Sequence, residues 1–181
     1  MGVTRIGVSL RVSRQVKRAL TLMALTATAA GAQSIRVAGS DTTSPRSTLA
    51  REMVSAHNAV RADVNVAPLQ WSAELAAIAK KWADTLLARR QFLHSDSGYG
   101  ENLFAITGGS VTPATVVGHW ASESRNFDYR SNACRGLCGH YTQIVWRESR
   151  RVGCAVARGG GREVWVCNYD PPGNWLGQRP Y

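Results

Sequence analysis

Two runs near the C-terminal end constrain the fold of this chain more than any other stretch. Val152–Ala157 and Glu163–Tyr169 are rich in valine, and positions 159–161 between them are all glycine. Short runs of this composition on either side of a glycine turn predict an antiparallel β-hairpin. The sequence therefore predicts a sheet that includes both runs.

The four cysteines sharpen this prediction. Cys154 and Cys167 lie in the two predicted strands, so the hairpin brings them together and leaves Cys134 for Cys138. An even number of cysteines indicates two disulfides in an oxidising compartment, and closing a loop of about 14 residues stabilises a fold by about 3 kcal/mol. A four-cysteine zinc site is the alternative interpretation, but the spacing lacks the paired CxxC knuckles of such sites.

The first 32 residues have the features of a secretory signal peptide. Basic residues up to Arg18 precede an apolar segment, Ala19–Ala30, which ends in the small-residue site Ala30-Gly31-Ala32. We therefore predict a signal peptide at residues 1–32 and a secreted, extracellular protein. The apolar segment is too short for a stable membrane anchor, because spanning a bilayer takes about 20 apolar residues.

Removal of this segment halves the net charge. Five of the 22 basic residues and none of the 12 acidic residues lie within it, so the net charge falls from +10 to +5. The remaining arginines are scattered apart from Arg89-Arg90 and Arg150-Arg151, and no basic run is interleaved with aromatic residues. We expect no nucleic-acid partner, and only a weak attraction to anionic cell surfaces.

The rest of the chain alternates helical and extended patterns. Residues 33–48 are rich in serine and threonine and predict a flexible lead-in, whereas residues 49–181 have the length of one domain. Apolar residues at helical spacing follow Leu49, and Ser72 and Thr112 are good N-caps for two later helices. The predicted elements are a helix from Leu49, helices from Ala73 to about Arg90 and from Pro113 to about Arg125, and an extended segment at Tyr99–Phe104.

The segment 139–146, Gly-His-Tyr-Thr-Gln-Ile-Val-Trp, places His140 at the start of a predicted helical turn. Ile144 follows His140 by four residues, so an apolar face anchors the turn and aims the imidazole. A histidine among aromatic residues is also typical of a satisfied core residue. Both interpretations, an aimed ligand and a core residue, stand at this point.

Four motifs in order resemble the CAP superfamily, named for cysteine-rich secretory proteins, antigen 5 and pathogenesis-related class-one proteins. The segment 139–146 looks like the first family signature, and Val166–Trp175 looks like the second. Two weaker signatures are His57-Asn58-x-x-Arg61 and Gly100-Glu101-Asn102-Leu103. The resemblance covers about residues 49–181 and is closest in pattern to the plant class-one proteins. Those proteins usually carry six cysteines, whereas this chain has four.

The resemblance implies an α+β fold, a three-layer α-β-α sandwich with a central antiparallel sheet. It also implies a cleft with two histidines and two glutamates, which the motifs assign to His94, Glu101, Glu123 and His140. Two neutral imidazoles, His94 and His140, suit a metal such as Zn²⁺, and the two carboxylates complete the cleft. A purely structural cleft of hydrogen-bonded polar residues is the alternative.

His119 complicates the assignment of Glu123, because it precedes Glu123 by four residues in the third predicted helix. Residues at this spacing share a helix face and can form a local pair. We predict that His119 is a surface or packing residue, since the family motifs match His94 and His140 instead.

The signal peptide and the four cleft residues predict a secreted protein that binds a divalent metal without turnover, and we expect a monomer. The resemblance implies a role in defence or in binding a lipid, a sterol or a cell-surface ligand. A metal-assisted hydrolase with Glu101 or Glu123 as general base is one alternative, although the chain has no HExxH or GxSxG motif. A third hypothesis is a signalling-peptide precursor, because Pro171–Tyr181 is similar to the C-terminal peptide that plant members release. For this tail we favour a structural role, in which its residues pack the chain against the sheet where it leaves the last strand.

Overall fold

The computed structural model describes residues 44–181, so the predicted signal peptide at 1–32 and residues 33–43 of the lead-in lie outside the described residues. The first helix, α1, spans Pro45–Ala62 and begins four residues before the predicted Leu49. The side chain of Ser44 accepts a hydrogen bond from the amide of Ser47, and Pro45 takes the first helical position, where no N–H is needed. The assignment of residues 45–48 to a flexible lead-in was therefore wrong.

The described residues contain three further α-helices and six strands. The helix α2 begins directly after its N-cap Ser72, and α3 begins after its N-cap Thr112, as the sequence predicts. The helices are α2 (Ala73–Arg89), α3 (Pro113–Ala121), a 3-10 helix (Ser122–Asn126) and α4 (Gly139–Ile144). The strands are β1 (Gln70–Trp71), β2 (Gly100–Thr107), β3 (Phe127–Asp128), β4 (Ala133–Cys134), β5 (Arg151–Gly159) and β6 (Arg162–Asp170).

The central sheet has the strand order β1-β5-β6-β2. The hairpin β5–β6 and the pair β6–β2 are antiparallel, whereas β1 runs parallel to β5 over two residues, which makes the sheet mixed. Cys154 lies directly opposite Cys167 and forms a disulfide with it, and Cys134 is bonded to Cys138. Both predicted disulfides are confirmed.

Helices cover both faces of this sheet. On one face, α2 packs Ala79, Ala83 and Leu86 against sheet residues such as Leu103 and Val166. Successive side chains of a strand point to opposite faces, so the same strands also supply a second core. That core joins α1, α3 and α4 to the sheet through Met53, Val116, Trp120, Tyr141, Ile144, Cys154, Trp165, Cys167 and Tyr169.

The two cores confirm the predicted three-layer α-β-α sandwich. The buried face of α1 is more polar than the sequence predicted, because its buried side chains are Met53, His57 and Arg61. Among residues 44–181, no helix has the length and apolar character that crossing a membrane requires.

Candidate functional site

His140 and Glu123 form the first of two histidine–glutamate pairs. Glu123 lies in the 3-10 helix after α3, and His140 is the second residue of α4. Nδ1 of His140 lies 2.7 Å from Oε1 of Glu123, and the backbone N–H of His140 donates to Oε2 over 3.0 Å. Trp120 stacks on the imidazole, with ring centroids 6.1 Å apart. The glutamate and the tryptophan therefore fix the position and the plane of this ring.

His94 and Glu101 form the second pair, at the start of β2. Nδ1 of His94 lies 2.8 Å from Oε1 of Glu101. The same carboxylate accepts a hydrogen bond from the backbone N–H of Ser95 over 2.9 Å and another from its hydroxyl over 2.7 Å. The side chain of Glu101 is almost buried, whereas 62% of the His94 side chain is exposed. A buried carboxylate thus holds an imidazole that faces solvent.

The elements that carry Glu101 and His140 meet where β2 contacts α4. Asn102 follows Glu101 in the strand, and its amide donates to the carbonyl oxygen of His140 over 3.0 Å. Gly100 permits this close approach, because a Cβ at that position would overlap the side-chain amide of Gln143 in α4. The strand that carries Glu101 and the helix that carries His140 are therefore in direct contact.

Each imidazole keeps one ring nitrogen for a ligand. Within residues 44–181, Nε2 of His94 and Nε2 of His140 have no hydrogen-bond partner. An imidazole that donates from Nδ1–H to a carboxylate retains the Nε2 lone pair, and this arrangement is common among metal-binding histidines. Among the four cleft side chains, no three ligand atoms lie within 4.8 Å of one another, so the site is not a closed four-residue cage.

The two carboxylates are already occupied as holders of the imidazoles. Both oxygens of Glu123 contact His140, and both oxygens of Glu101 accept hydrogen bonds from Ser95, one of them also meeting His94. A general base must have a lone pair that reaches the proton it removes. The observed contacts favour a positioning role for both glutamates over the role of a general base.

His119 lies outside this cleft. Its exposed ring meets the ring of Phe104 edge-on, with centroids 5.3 Å apart, while Glu123 pairs with His140. The interpretation of His119 as a surface and packing residue is therefore confirmed.

His57, the remaining histidine of the described chain, is fully buried in a structural network. Its Nδ1 lies 2.7 Å from the carbonyl oxygen of Met53, and because a carbonyl only accepts, Nδ1 carries the hydrogen. Nε2 then accepts from the hydroxyl of Tyr169 over 2.8 Å, and this hydroxyl accepts from the amide of Asn102 over 3.1 Å. Burial lowers the pKa of His57 to about 4, so the ring is neutral at neutral pH.

Arg61 lies one helical turn after His57 and is equally buried. Its guanidinium donates to four backbone carbonyl oxygens, and burial lowers its pKa to about 10, which leaves it charged at neutral pH. These carbonyls belong to Ala67 (2.7 Å), Ile144 (2.7 Å), Trp146 (2.9 Å) and Ser149 (3.0 Å). Arg61 therefore ties α1 to the end of the helix that carries His140.

Sequence reasoning did not predict these contacts of His57 and Arg61. The available signal was their spacing, because Met53, His57 and Arg61 follow one another at four-residue intervals and share one helix face. It also missed Asn102, whose single amide binds both the carbonyl of His140 and the hydroxyl of Tyr169. Nothing in the sequence indicated that these residues meet across the sheet.

His57 also lies beside the buried disulfide. Its ligand atom and the sulfurs of Cys154 and Cys167 lie within 4.8 Å of one another, a grouping that free thiolates would make suitable for zinc. Here the two sulfurs are bonded to each other, and both ring nitrogens of His57 are hydrogen-bonded. This group offers no free donor, which leaves the exposed cleft as the candidate metal site.

The C-terminal tail, Pro171–Tyr181, is tied to the domain at both ends. Near its start, the backbone N–H of Gly173 donates to Gln143 over 3.0 Å, and the side chain of Asn174 contacts the segment that carries His140. At its end, the hydroxyl groups of Tyr181 and Tyr141 lie 3.1 Å apart. The tail packs as the favoured interpretation states, and its release as a peptide stays a prediction.

Comparison with known proteins shows the family. The family model for the cysteine-rich secretory proteins, CAP, matches residues 54–169. Pathogenesis-related protein 1 of Arabidopsis thaliana is 46% identical over 132 residues, which cover 72% of this chain and 81% of that protein. Pathogenesis-related protein 1A of Nicotiana tabacum is 47% identical over 134 residues, covering 72% of this chain and 80% of that protein.

Solved structures agree in fold. Venom allergen-like protein 4 of Schistosoma mansoni aligns with a TM-score of 0.61 and 28% identity, over 72% of this chain and 92% of that one. A crystal structure of NaASP2 with Zn²⁺ aligns with a TM-score of 0.62 and 22% identity, over 78% of this chain and 88% of that one. Together with the match to the family model and the plant relatives, these findings show that the chain belongs to the CAP family of cysteine-rich secretory proteins.

Proposed function

We propose that this chain is a secreted, pathogenesis-related type of CAP protein that binds a divalent metal such as Zn²⁺ through His94 and His140, without turnover. The observation that supports this proposal is the pair of Nδ1–carboxylate contacts, 2.8 Å at His94 and 2.7 Å at His140. These contacts orient both rings and leave both Nε2 atoms for a ligand.

The donor set fits a borderline metal ion. Imidazole nitrogen suits zinc and related divalent ions, and a carboxylate on the opposite ring nitrogen raises the basicity of the ligand. Both rings are accessible, with 62% of the His94 side chain and 29% of the His140 side chain exposed. A bound ion would supply positive charge and open coordination positions for a partner molecule.

The occupied carboxylates favour binding over hydrolysis. In a metal-assisted hydrolase, Glu101 or Glu123 would have to accept a proton from the attacking water. In this structure their oxygens hold His94, His140 and Ser95 instead. We therefore propose a cleft that presents a metal to a partner.

The biological setting is inferred from the relatives. Pathogenesis-related proteins of Arabidopsis thaliana and Nicotiana tabacum share nearly half of their aligned residues with this chain, which supports a role in defence. The predicted signal peptide supports export. A lipid, a sterol or a cell-surface molecule is our proposal for the partner of the cleft, and a monomer is our proposal for the protein itself.

Calorimetric titration with Zn²⁺ tests the proposal. We expect saturable binding at one site in the natural chain and loss of that binding in the double variant His94→Ala/His140→Ala. His119→Ala is the matched control, because it removes an exposed histidine that lies beside Phe104 and outside the cleft. It should bind zinc as tightly as the natural chain does.

Two results would contradict the assignment. Unchanged binding in the double variant would place the metal elsewhere, and absence of binding in the natural chain would leave the four residues as a hydrogen-bonded cleft. Circular dichroism of each variant must show an unchanged fold, so that a loss of binding reports on the ligands alone.

A further inference from the structure

Residues 127–138 and 174–181 form one continuous surface, here called the tail–loop face. The side chain of Asn132 donates to the carbonyl oxygen of Gln178 over 3.0 Å. The rings of Tyr129 and Tyr181 stack with centroids 4.8 Å apart. The guanidinium of Arg179 donates to the backbone carbonyls of Tyr129 and Arg130. The end of the tail is therefore fixed against the loop, and the two segments present a common exterior.

This face carries most of the exposed large apolar side chains of residues 44–181. Within residues 44–181, six large apolar side chains are strongly exposed, and four of these six lie on the tail–loop face. They are Leu176 (97% exposed), Leu137 (75%), Trp175 (51%) and Tyr129 (45%). Single exposed apolar residues are common, but a concentration on one face indicates an interaction surface.

Leu176 stands at the tip of a short turn. The backbone N–H of Gln178 donates to the carbonyl oxygen of Trp175 over 3.1 Å, and Gly177 between them has a positive φ of 79°. The turn therefore holds Trp175 and Leu176 side by side in an exposed position, while Asn174 anchors its base to the carbonyl of Gly139 over 2.9 Å. An almost fully exposed leucine beside a tryptophan is a suitable wedge for a soft, apolar layer.

The charge of the tail–loop face is positive. Its two segments contain three arginines, Arg130, Arg135 and Arg179, and one acidic residue, Asp128. All three arginines are exposed, and Asp128 lies 3.6 Å from Arg135. Basic residues next to exposed tryptophan, tyrosine and leucine match the layers of a bilayer surface, where anionic headgroups lie above acyl chains.

We propose that the tail–loop face docks reversibly on the surface of an anionic lipid bilayer. Trp175 and Leu176 enter the boundary between headgroups and acyl chains, and Arg130 and Arg135 contact the anionic headgroups. No lipid is extracted and no membrane is crossed. This function goes beyond metal binding, because none of the four cleft side chains belongs to the face. It would bring the cleft, which shares helix α4 with the anchor of the turn, close to the membrane.

Vesicle co-sedimentation tests the proposal with the chain as purified from its host. The probes are phosphatidylcholine vesicles, with and without one-third phosphatidylserine, at low and at physiological salt. We expect binding to the phosphatidylserine vesicles that weakens with salt. The double variant Arg130→Glu/Arg135→Glu should lower the partition coefficient at least about tenfold, because each basic residue near an anionic surface contributes several-fold.

A matched charge control separates docking from general attraction. Arg51→Glu/Arg162→Glu makes the same change in net charge on α1 and at the start of β6, outside the tail–loop face, and should weaken binding much less. Trp175→Ser/Leu176→Ser keeps the charge and should reduce binding about tenfold or more, since it removes the apolar wedge.

Three outcomes would overturn the proposal: no binding to phosphatidylserine vesicles at low salt, equal losses in the two charge variants, or full binding by the serine variant. The last outcome would show that Trp175 and Leu176 do not insert into the bilayer. Thermal unfolding of each variant checks that the fold is kept. We expect unchanged folding, because all substituted side chains are exposed except Arg162, which is half-buried.

Discussion

The buried histidine of α1 and the two histidines of the cleft are held in opposite ways. His57 has no exposed surface, and both of its ring nitrogens are hydrogen-bonded to the protein. His94 and His140 each spend one nitrogen on a carboxylate and keep the other. The buried ring therefore contributes to stability, whereas the exposed rings can contribute to binding.

This comparison shows that membership of a family motif does not by itself identify a metal ligand. All three histidines were singled out by sequence motifs or their order, yet only the environment separates them. The two regions are also connected, because the amide of Asn102 binds both the carbonyl oxygen of His140 and the Tyr169 hydroxyl that contacts His57. The buried network thus fixes the backbone from which the cleft histidine projects.

Substitution of the buried Arg61 should have the largest effect on the stability of the fold. Arg61→Ala removes the donor to the carbonyls of Ile144 and Ser149, which then have no other hydrogen-bond donor among the described residues. We expect the free energy of unfolding to fall by about 3–5 kcal/mol. Urea denaturation measures this change. Arg51→Ala, an exposed arginine of the same helix, is the control and should change the free energy by less than about 0.5 kcal/mol.

The pH dependence of stability should report on His57. Burial lowers its pKa from 6.5 to about 4, so between these values the unfolded chain binds a proton that the native ring rejects. Stability therefore falls as the pH falls from 6.5 towards 4, by about 3 kcal/mol over the whole window. Urea denaturation across this range measures the slope, and His57→Gln, which has no titrating ring, should flatten it.

Glu163 affects the stability in a lower range of pH than His57 does, so the contributions of these two residues can be separated. Burial opposes ionisation of its carboxyl, but hydrogen bonds from Ser110, Arg158 and Trp165 outweigh burial and lower its pKa to about 2. Its contribution to stability is complete above 4.5 and is lost as the pH falls towards 2. If the free energy of unfolding of His57→Gln still falls as the pH falls from 6.5 to 4.5, another group and not His57 is responsible.

The fold was more predictable than the connections between its parts. The glycine turn at 159–161 and the cysteines determined the hairpin, and the caps Ser72 and Thr112 determined the starts of α2 and α3. These signals are local, so the sequence displays them directly. The parallel pairing of β1 with β5 and the early start of α1 were missed, because the first depends on tertiary contacts and the second on a Ser-Pro cap inside a polar stretch.

The site was predictable as a set of residues but not as a geometry. Motif matching gave His94, Glu101, Glu123 and His140, and the structure pairs each histidine with one glutamate. The division into two pairs was not visible, because which glutamate meets which histidine depends on how β2, the 3-10 helix and α4 meet in space. Long-range contacts of this kind leave no periodic trace in a sequence.

Neutralising the two cleft glutamates should weaken metal binding without abolishing it. Glu101→Gln and Glu123→Gln keep the size of the side chain but remove the negative charge that faces Nδ1. We expect each change to reduce zinc affinity about 10- to 100-fold, the usual effect of losing a carboxylate behind a ligating histidine. Calorimetry measures the change, and the exposed Glu148→Gln is the control. Complete loss of binding in either variant would indicate that the carboxylate is itself a ligand.

The smallest expected effect is that of the cleft histidines on stability. In the double variant His94→Ala/His140→Ala, Glu101 keeps its two hydrogen bonds from Ser95, and Glu123 keeps the bond from the backbone N–H of residue 140. Neither carboxylate is left without a partner, so the free energy of unfolding should change by less than about 1 kcal/mol. The opposite pattern is expected for His57→Gln, with lower stability and unchanged zinc binding. If the double variant loses several kcal/mol, the cleft rings are structural like His57, and the distinction between the two regions fails.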